Sequence, residues 1–245
     1  DPTPLPVDII WMIDNSASMA PAVAEVNAGM NAFANLIASK SLDYRVIVLS
    51  LRSATSPIQV GGSTRYPICI PQPLSGDSSC GNGPRFFQSS IDIRSTQTFE
   101  QFLGTLGQTS GYAQGAALGG EPWKGWLRPE ATKTILVVTD DNARLTAQEF
   151  ETYTGGQNPV NSNRRPPGIL DPSWNGLFNA DYIFGGVYGW GDPKNPSVRC
   201  VYPDQSMPPS GGSTYSMLVT KTGGPRAKIC DGAAAWTPFF DDVAT

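Results

Sequence analysis

Three short apolar runs constrain this 245-residue chain more than any other feature: VDIIWMI at 7–13, YRVIVLSL at 44–51 and TILVVT at 134–139. Each has the length of a strand and is apolar at consecutive rather than alternate positions, as burial on both faces of a parallel sheet demands. Between the runs the apolar spacing switches to the helical period. Pro21 stands where a first helical residue would, and Val23, Val26, Met30, Phe33 and Ile37 follow at steps of three and four. That pattern predicts a helix over about 20–39 with one apolar face. Phe99, Phe102, Leu103 and Leu106 predict another over 98–106. Further helices are expected over about 113–120, continuing toward Leu127, and over 146–153, 214–222 and 236–243. Further strands are expected near 86–93, at 181–188 and at 227–230. Strands alternating with amphipathic helices predict an α/β fold, a doubly wound, mostly parallel central sheet flanked by helices on both faces. Residues 1–6 (DPTPLP) read as a Pro-rich arm suited to neither helix nor central strand, and 7–245 as a single domain.

Composition narrows the chemistry. The chain has no His, so a Ser-His-Asp triad, a Cys-His pair and His-ligated zinc are out of reach without a partner chain. Lys and Arg number 17 against 21 Asp and Glu, a formal charge of −4, with no basic stripe of the kind nucleic-acid binders carry. The closest approach, Arg164-Arg165, reads as a solvated loop. No run of about 18 apolar residues is present to span a membrane. A chain that opens on Asp1 rather than Met is expected of a processed product whose signal segment has been removed.

Gly and Pro are concentrated in two long irregular connections, 53–95 and 154–180, which are expected to be functional or stapled. Four Cys fit two disulfides in an oxidising compartment. Of three pairings, Cys69–Cys80 with Cys200–Cys230 joins neighbours in sequence and is the one expected; four reduced thiols are the alternative.

Open parallel sheets bind ligands beyond the carboxyl ends of their strands, where strand order reverses. The polar residues at the ends of the two strongest strands therefore matter most: Asp14, Ser16 and Ser18 after the first, Asp140 after the third. All are oxygen donors, and two hydroxyls with two carboxylates suit Mg²⁺ or Ca²⁺. Plainer readings stand beside this one. Asp14 could cap the following helix with help from Ser16 or Ser18, and Asp140 could be a cap or turn former. Asp141 reads as solvent-facing or as a second layer, and Asp77, Asp171, Asp192 and Asp204 as ordinary turn formers. Trp190, within GVYGWGDP in an expected crest loop, is the best aromatic candidate for a partner contact.

IDNSASM at 13–19, between a buried strand and an amphipathic helix, resembles the DxSxS motif of von Willebrand factor type A domains. VVTDDN at 137–142 places Asp140 where that family has its second acid. The family's intervening Thr falls in QTSGYAQGAAL at 108–118; counting back from Leu118 puts Tyr112 there, a departure that Ser110 or Thr109 would repair in a shifted loop. More narrowly, about 7–243 is similar to bacterial secreted or lipoprotein-type A domains, which share GYxQG, VVTDDxA and a closing segment that here reads YSMLVTKTGGPRAKICDGAAAW, 215–236.

The resemblance implies a metal-ion-dependent adhesion site: one Mg²⁺ or Ca²⁺ whose open position captures an acidic group on a protein partner. It implies a binding or adhesion module, secreted or anchored at a bacterial outer surface. Two other functions are weighed against it. One is a structural subunit of an extracellular assembly, homo- or hetero-oligomeric, with a vestigial or intramolecular ion site, suggested by the Pro-rich arm. The other is a metal-assisted hydrolase with a carboxylate such as Asp141, or an unusual Lys, as base; the expectation is that the chain is not an enzyme.

Overall fold

The computed structural model describes residues 6–106, 121–154 and 182–245. The predicted helix over 113–120, the candidates Thr109, Ser110 and Tyr112, the Arg164-Arg165 pair, Asp171 and arm residues 1–5 lie outside the described residues.

The first apolar run forms β1 (Val7–Ile13), which leads through a six-residue 3₁₀ turn, Ala17–Ala22, into helix α1 (Val23–Ser39). Pro21 thus lies inside the tight 3₁₀ turn, and the α-helix begins later than its spacing suggested. Then follow β2 (Tyr44–Leu49), the hairpin strands β3 (Ile58–Val60) and β4 (Ser63–Arg65), β5 (Phe86–Ser89) and α2 (Thr98–Thr105). The second half comprises β6 (Thr132–Val138), α3 (Ala147–Thr154), β7 (Tyr182–Tyr188), β8 (Trp190–Asp192) and β9 (Asn195–Arg199). It closes with α4 (Ser213–Thr222), β10 (Arg226–Lys228) and α5 (Thr237–Val243). Toward Leu127 the structure has only a single 3₁₀ turn, Lys124–Trp126. The strand expected at 227–230 gives way to a 3₁₀ turn at Ile229, and both two-stranded hairpins escape a reading by periodicity because they are short and half exposed.

Six strands pair in the order β10-β7-β6-β1-β2-β5, and every pairing is parallel. The sequence of strands therefore runs outward from β1 in one direction and then from β6 in the other. The reversal falls between β1 and β6, whose register aligns Ile13 with Val138. The chain leaves both strands side by side, and Asp14 N still donates to Val138 O at 2.9 Å.

Alternate residues of β1 supply two separate cores. Ile9, Trp11 and Ile13 pack with Phe33, Ile37, Trp236 and Phe240 from α1 and the C-terminal segment. Ile10 and Met12 pack with Phe99, Phe102, Phe150 and Leu218 from α2, α3 and α4. Trp11 meets Phe33 edge-on at 5.0 Å, and Phe99 stacks on Phe150 at 4.2 Å. Burying each such side chain contributes about 1.5–3 kcal/mol, which is what holds helices of this length in place. Gly29 lets α1 lie close: a Cβ there would come within 2.6 Å of the Trp236 ring. Thr146 and Glu149 exchange side-chain-to-backbone hydrogen bonds as a capping box ahead of α3.

Disulfides join Cys69 to Cys80 and Cys200 to Cys230. The first staples the loop between β4 and β5; the second ties the end of β9 to the turn after β10. Pro6, the last residue of the arm, accepts a hydrogen bond from Thr132 N and so is fixed to the start of β6.

Candidate metal centre

Asp14, Ser16 and Asp140 are buried at the carboxyl crest of β1 and β6, and Ser18 is exposed at its rim. One hydroxyl chain links them. Ser95 Oγ donates to Ser16 Oγ at 3.2 Å, Ser16 and Ser18 Oγ are 3.1 Å apart, and Ser18 Oγ donates to Asp140 Oδ1 at 3.2 Å. Asp14 lies beneath: its Oδ1 accepts from Ser16 N and its Oδ2 from Thr139 Oγ1, both at 2.8 Å. The Asp14 bond to Ser16 N closes a turn ahead of the 3₁₀ segment; no side chain caps that segment or α1, so Asp14 is not the helix cap of the plainer reading. Asp140 Oδ2 is buried with no hydrogen-bond partner among the described residues.

The backbone under these donors is held by Asn15, the residue between the first two motif positions. Its side chain is fully buried and saturated. Nδ2 donates to Ser50 Oγ and Tyr66 O, and Oδ1 accepts from Leu51 N and Ile93 N. Asn15 thereby stops β2 at Leu49, turning Leu51 away from the ladder, and locks the 91–95 segment against the motif. That segment is fixed a second time by the buried Arg65–Asp92 pair at 2.9 Å. Ser95, held there at φ 26°, is the donor that sequence reasoning missed. Its signal was faint: a Ser in a polar stretch just past a strand expected to end at 93. On the far side Asn142 binds Ser213 Oγ and Thr214 N, tying the Asp140 turn to the start of α4. Asp141 is half-buried and accepts from Asn142 N.

The electrostatics of the crest are one-sided. Burial pushes the Asp14 carboxyl above its ordinary range, against the pull of its hydrogen bonds from Ser16 and Thr139. Burial, and then the Asp14 charge, push Asp140 up to about 7. No Lys or Arg among the described residues forms an ion pair with either. Two buried acids with no counter-charge are costly as a pair of anions and are relieved by a proton or a cation. Among the described residues no three Asp, Glu or Cys side chains converge. The donor set is two carboxylates and three hydroxyls, all hard oxygen, which fits Mg²⁺ or Ca²⁺ rather than a thiophilic metal. The buried orphan oxygen of Asp140 is the structural mark of that fit.

Trp190 stands beside the crest but is turned inward. Its Nε1 donates to Ala227 O at 2.9 Å, and Arg226 and Lys228 approach its ring at 4.3 and 4.9 Å. The half-buried indole covers the outer edge of β10, where unpaired backbone would otherwise face solvent. Asp77, Asp192 and Asp204 each accept from the backbone N–H two residues on, the turn-forming role expected of them. A cavity of about 670 Å³, lined by Val7, Thr134, Ile183 and Pro225, is at the other end of the sheet.

No family model matches this chain, and no curated protein matches it either. Among the described residues no helix is long and apolar enough to cross a membrane.

Proposed function

We propose that this protein is a binding module of the von Willebrand factor type A kind, recognising an acidic group on a partner through one divalent cation at the β1–β6 crest. Asp14, Ser16, Ser18 and Asp140 would hold the ion, with Ser95 supplying the hydroxyl expected of a third loop. When bound, a Mg²⁺ or Ca²⁺ supplies a Lewis-acidic position for a carboxylate oxygen from outside. The chain's own part is to present neutral hydroxyls on the solvent side, at exposed Ser18, and to keep both carboxylates below them, leaving the outward position to a partner's oxygen.

The observation that carries this reading is the burial of Asp14 and Asp140 together at one crest, with no ion-pair partner for either and no hydrogen-bond partner for Asp140 Oδ2 among the described residues. The α/β fold with its strand-order reversal at the same point supports it, because such reversals are where these sheets bind ligands. Two disulfides support an oxidising compartment, and hence a secreted or outer-surface setting.

Titration calorimetry with Mg²⁺, Ca²⁺ and Mn²⁺ tests it. One equivalent is expected to bind the intact chain and to lose at least tenfold in affinity in Asp14→Ala. Tight binding indifferent to that substitution, or no binding of any of the three ions, would refute the proposal.

A further inference from the structure

Arg52, Arg65, Arg128, Lys133, Arg144 and Lys221 each stand within ion-pair distance of an acid. Arg199, Arg226 and Lys228 pair with no acid among the described residues, and all three gather around Trp190. Arg226 and Lys228, two residues apart on β10, project from one face of the strand and reach the indole at 4.3 and 4.9 Å. Arg199 is directly opposite Trp190 across the β8–β9 hairpin. The guanidinium hydrogen bonds go to neutral oxygens. Arg226 Nη1 donates to Tyr188 Oη and Ser216 Oγ, both at 3.4 Å, and Arg199 Nη1 donates to Pro208 O at 3.2 Å. Asp192, two residues past Trp190, instead accepts from Lys194 N in its own turn. An indole attracts a cation through its quadrupole but leaves the charge in place. Cations that share one ring therefore still repel one another and still attract an anion. Arg226 and Lys228 are half-buried, which weakens screening of that attraction by salt.

The cluster flanks the crest. Val138 pairs with Val187, and Tyr188 pairs with Lys228, which sets Lys228 level with Thr139, the residue before Asp140. β10 is two strands from β6, about 10 Å at the spacing of a sheet. We propose that Arg199, Arg226 and Lys228 form an anion-receiving site, and that the acidic partner is a protein segment presenting a second carboxylate to it. In an extended peptide, residues three apart are separated by about 10 Å. A segment of the form Asp-x-x-Asp thus sets one acid on the crest ion and the other on this cluster. Trp190 acts from beneath, holding the two β10 side chains together. The anion site stands on the geometry around Trp190 alone; its pairing with a first acid rests on the cation-site reading above.

Two end-blocked, dye-labelled peptides test it in saturating Mg²⁺: Gly-Asp-Gly-Gly-Asp-Gly and its one-acid counterpart Gly-Asp-Gly-Gly-Asn-Gly. Fluorescence anisotropy should show the two-acid peptide binding the intact chain about tenfold more tightly, the worth of one charge-assisted hydrogen bond. Arg226→Gln combined with Lys228→Gln should abolish that advantage and leave the one-acid peptide unaffected. If the double variant melts lower than the parent, Lys228→Gln alone serves, because this ammonium donates no hydrogen bond among the described residues; about threefold of the advantage should then be lost. Equal affinity of the two peptides for the parent, including no binding of either, overturns the inference. So does an advantage that survives the substitutions, which would leave the cluster with edge protection of the sheet alone. Capture of phosphatidylglycerol vesicles without discrimination between the peptides would make it a lipid site and overturn it as well. In EDTA the two-acid peptide should bind more weakly and remain sensitive to the double substitution. Sensitivity to the substitution with indifference to Mg²⁺ would keep the anion site and refute the cation-site reading.

Discussion

Asp8 and Asp14 are carried at opposite ends of the β1 strand, about 20 Å apart, and both carboxylates are buried. At the amino end Asp8 is enclosed by the protein's own cations. Arg128 donates to it from both its backbone N and Nε, at 2.7 and 3.0 Å, and Lys133 Nζ is 3.5 Å away. Lys133 occupies the position on β6 directly opposite Asp8. At the carboxyl end the same strand pair delivers Asp14 and Asp140, two acids with no cation between them. One strand pair therefore shows both ways of burying a carboxylate: answered by the chain's own cations, or without one among the described residues. The same pairing recurs at Asp92 with Arg65 and at Glu100 with Arg144; the difference teaches that the crest acids stand out by having no such partner among the described residues.

The comparison breaks most visibly at the amino end. Asp8→Ala leaves Arg128 and buried Lys133 without their counter-charge and is expected to cost about 3–5 kcal/mol, read as a loss of midpoint in urea unfolding. Cation binding at the crest should survive in whatever fraction remains folded. An Asp8→Ala protein as stable as the parent would mean that the two ends are not different in kind.

Next in size is the scaffold beneath the crest. Asn15→Ala orphans the buried N–H groups of Leu51 and Ile93 and frees the loop that carries Ser95. A loss of about 3 kcal/mol is expected, together with weakened cation binding. Destabilisation without any change in cation affinity would separate Asn15 from the site.

The smallest effect has the opposite sign. Asp140 has its folded-state pKa raised to about 7 from an ordinary 3.8, so the folded chain holds this proton more tightly than the unfolded one. Its contribution to stability is fully present below about 4 and is lost as the pH rises through about 7. In metal-free buffer, Asp140→Asn should therefore gain about 1–3 kcal/mol over the parent at pH 7.5 and little at pH 4. Saturating Mg²⁺ should erase that advantage by stabilising only the parent. Thermal melts across this pH range, with and without the ion, check both points; a parent that is as stable as Asp140→Asn at pH 7.5 without metal would contradict them.

What the amino-acid sequence made legible follows from the strength of each local signal. Continuous apolar runs located β1, β2 and β6, and with them the α/β architecture, because burial on both faces favours apolar residues at consecutive positions. The same runs located Asp14 and Asp140, since the first polar residues past two central strands must emerge at the crest. The cysteine pairing was legible from spacing. The hairpins β3–β4 and β8–β9 were not, because strands of three to five residues with exposed faces have no periodicity to read. Nor were the partners of the site. Ser95 reaches Ser16 across 79 positions only because Asn15 and the Arg65–Asp92 pair hold the intervening chain in place. Such contacts are set by tertiary packing, and no local pattern encodes them. Trp190 illustrates the converse: its place in a Gly-rich crest loop suggested an outward role, whereas its indole is bound to β10.

The central claim is that the two unanswered acids of the crest are answered by a cation. Crystals grown with Mn²⁺ and measured at an energy where manganese scatters anomalously test it most directly. A single peak enclosed by Ser16, Ser18 and Asp140, with Ser18 turned away from Asp140 Oδ1, is the predicted result. A map without a peak there, with Ser18 still donating to Asp140 in saturating Mn²⁺, would contradict the account.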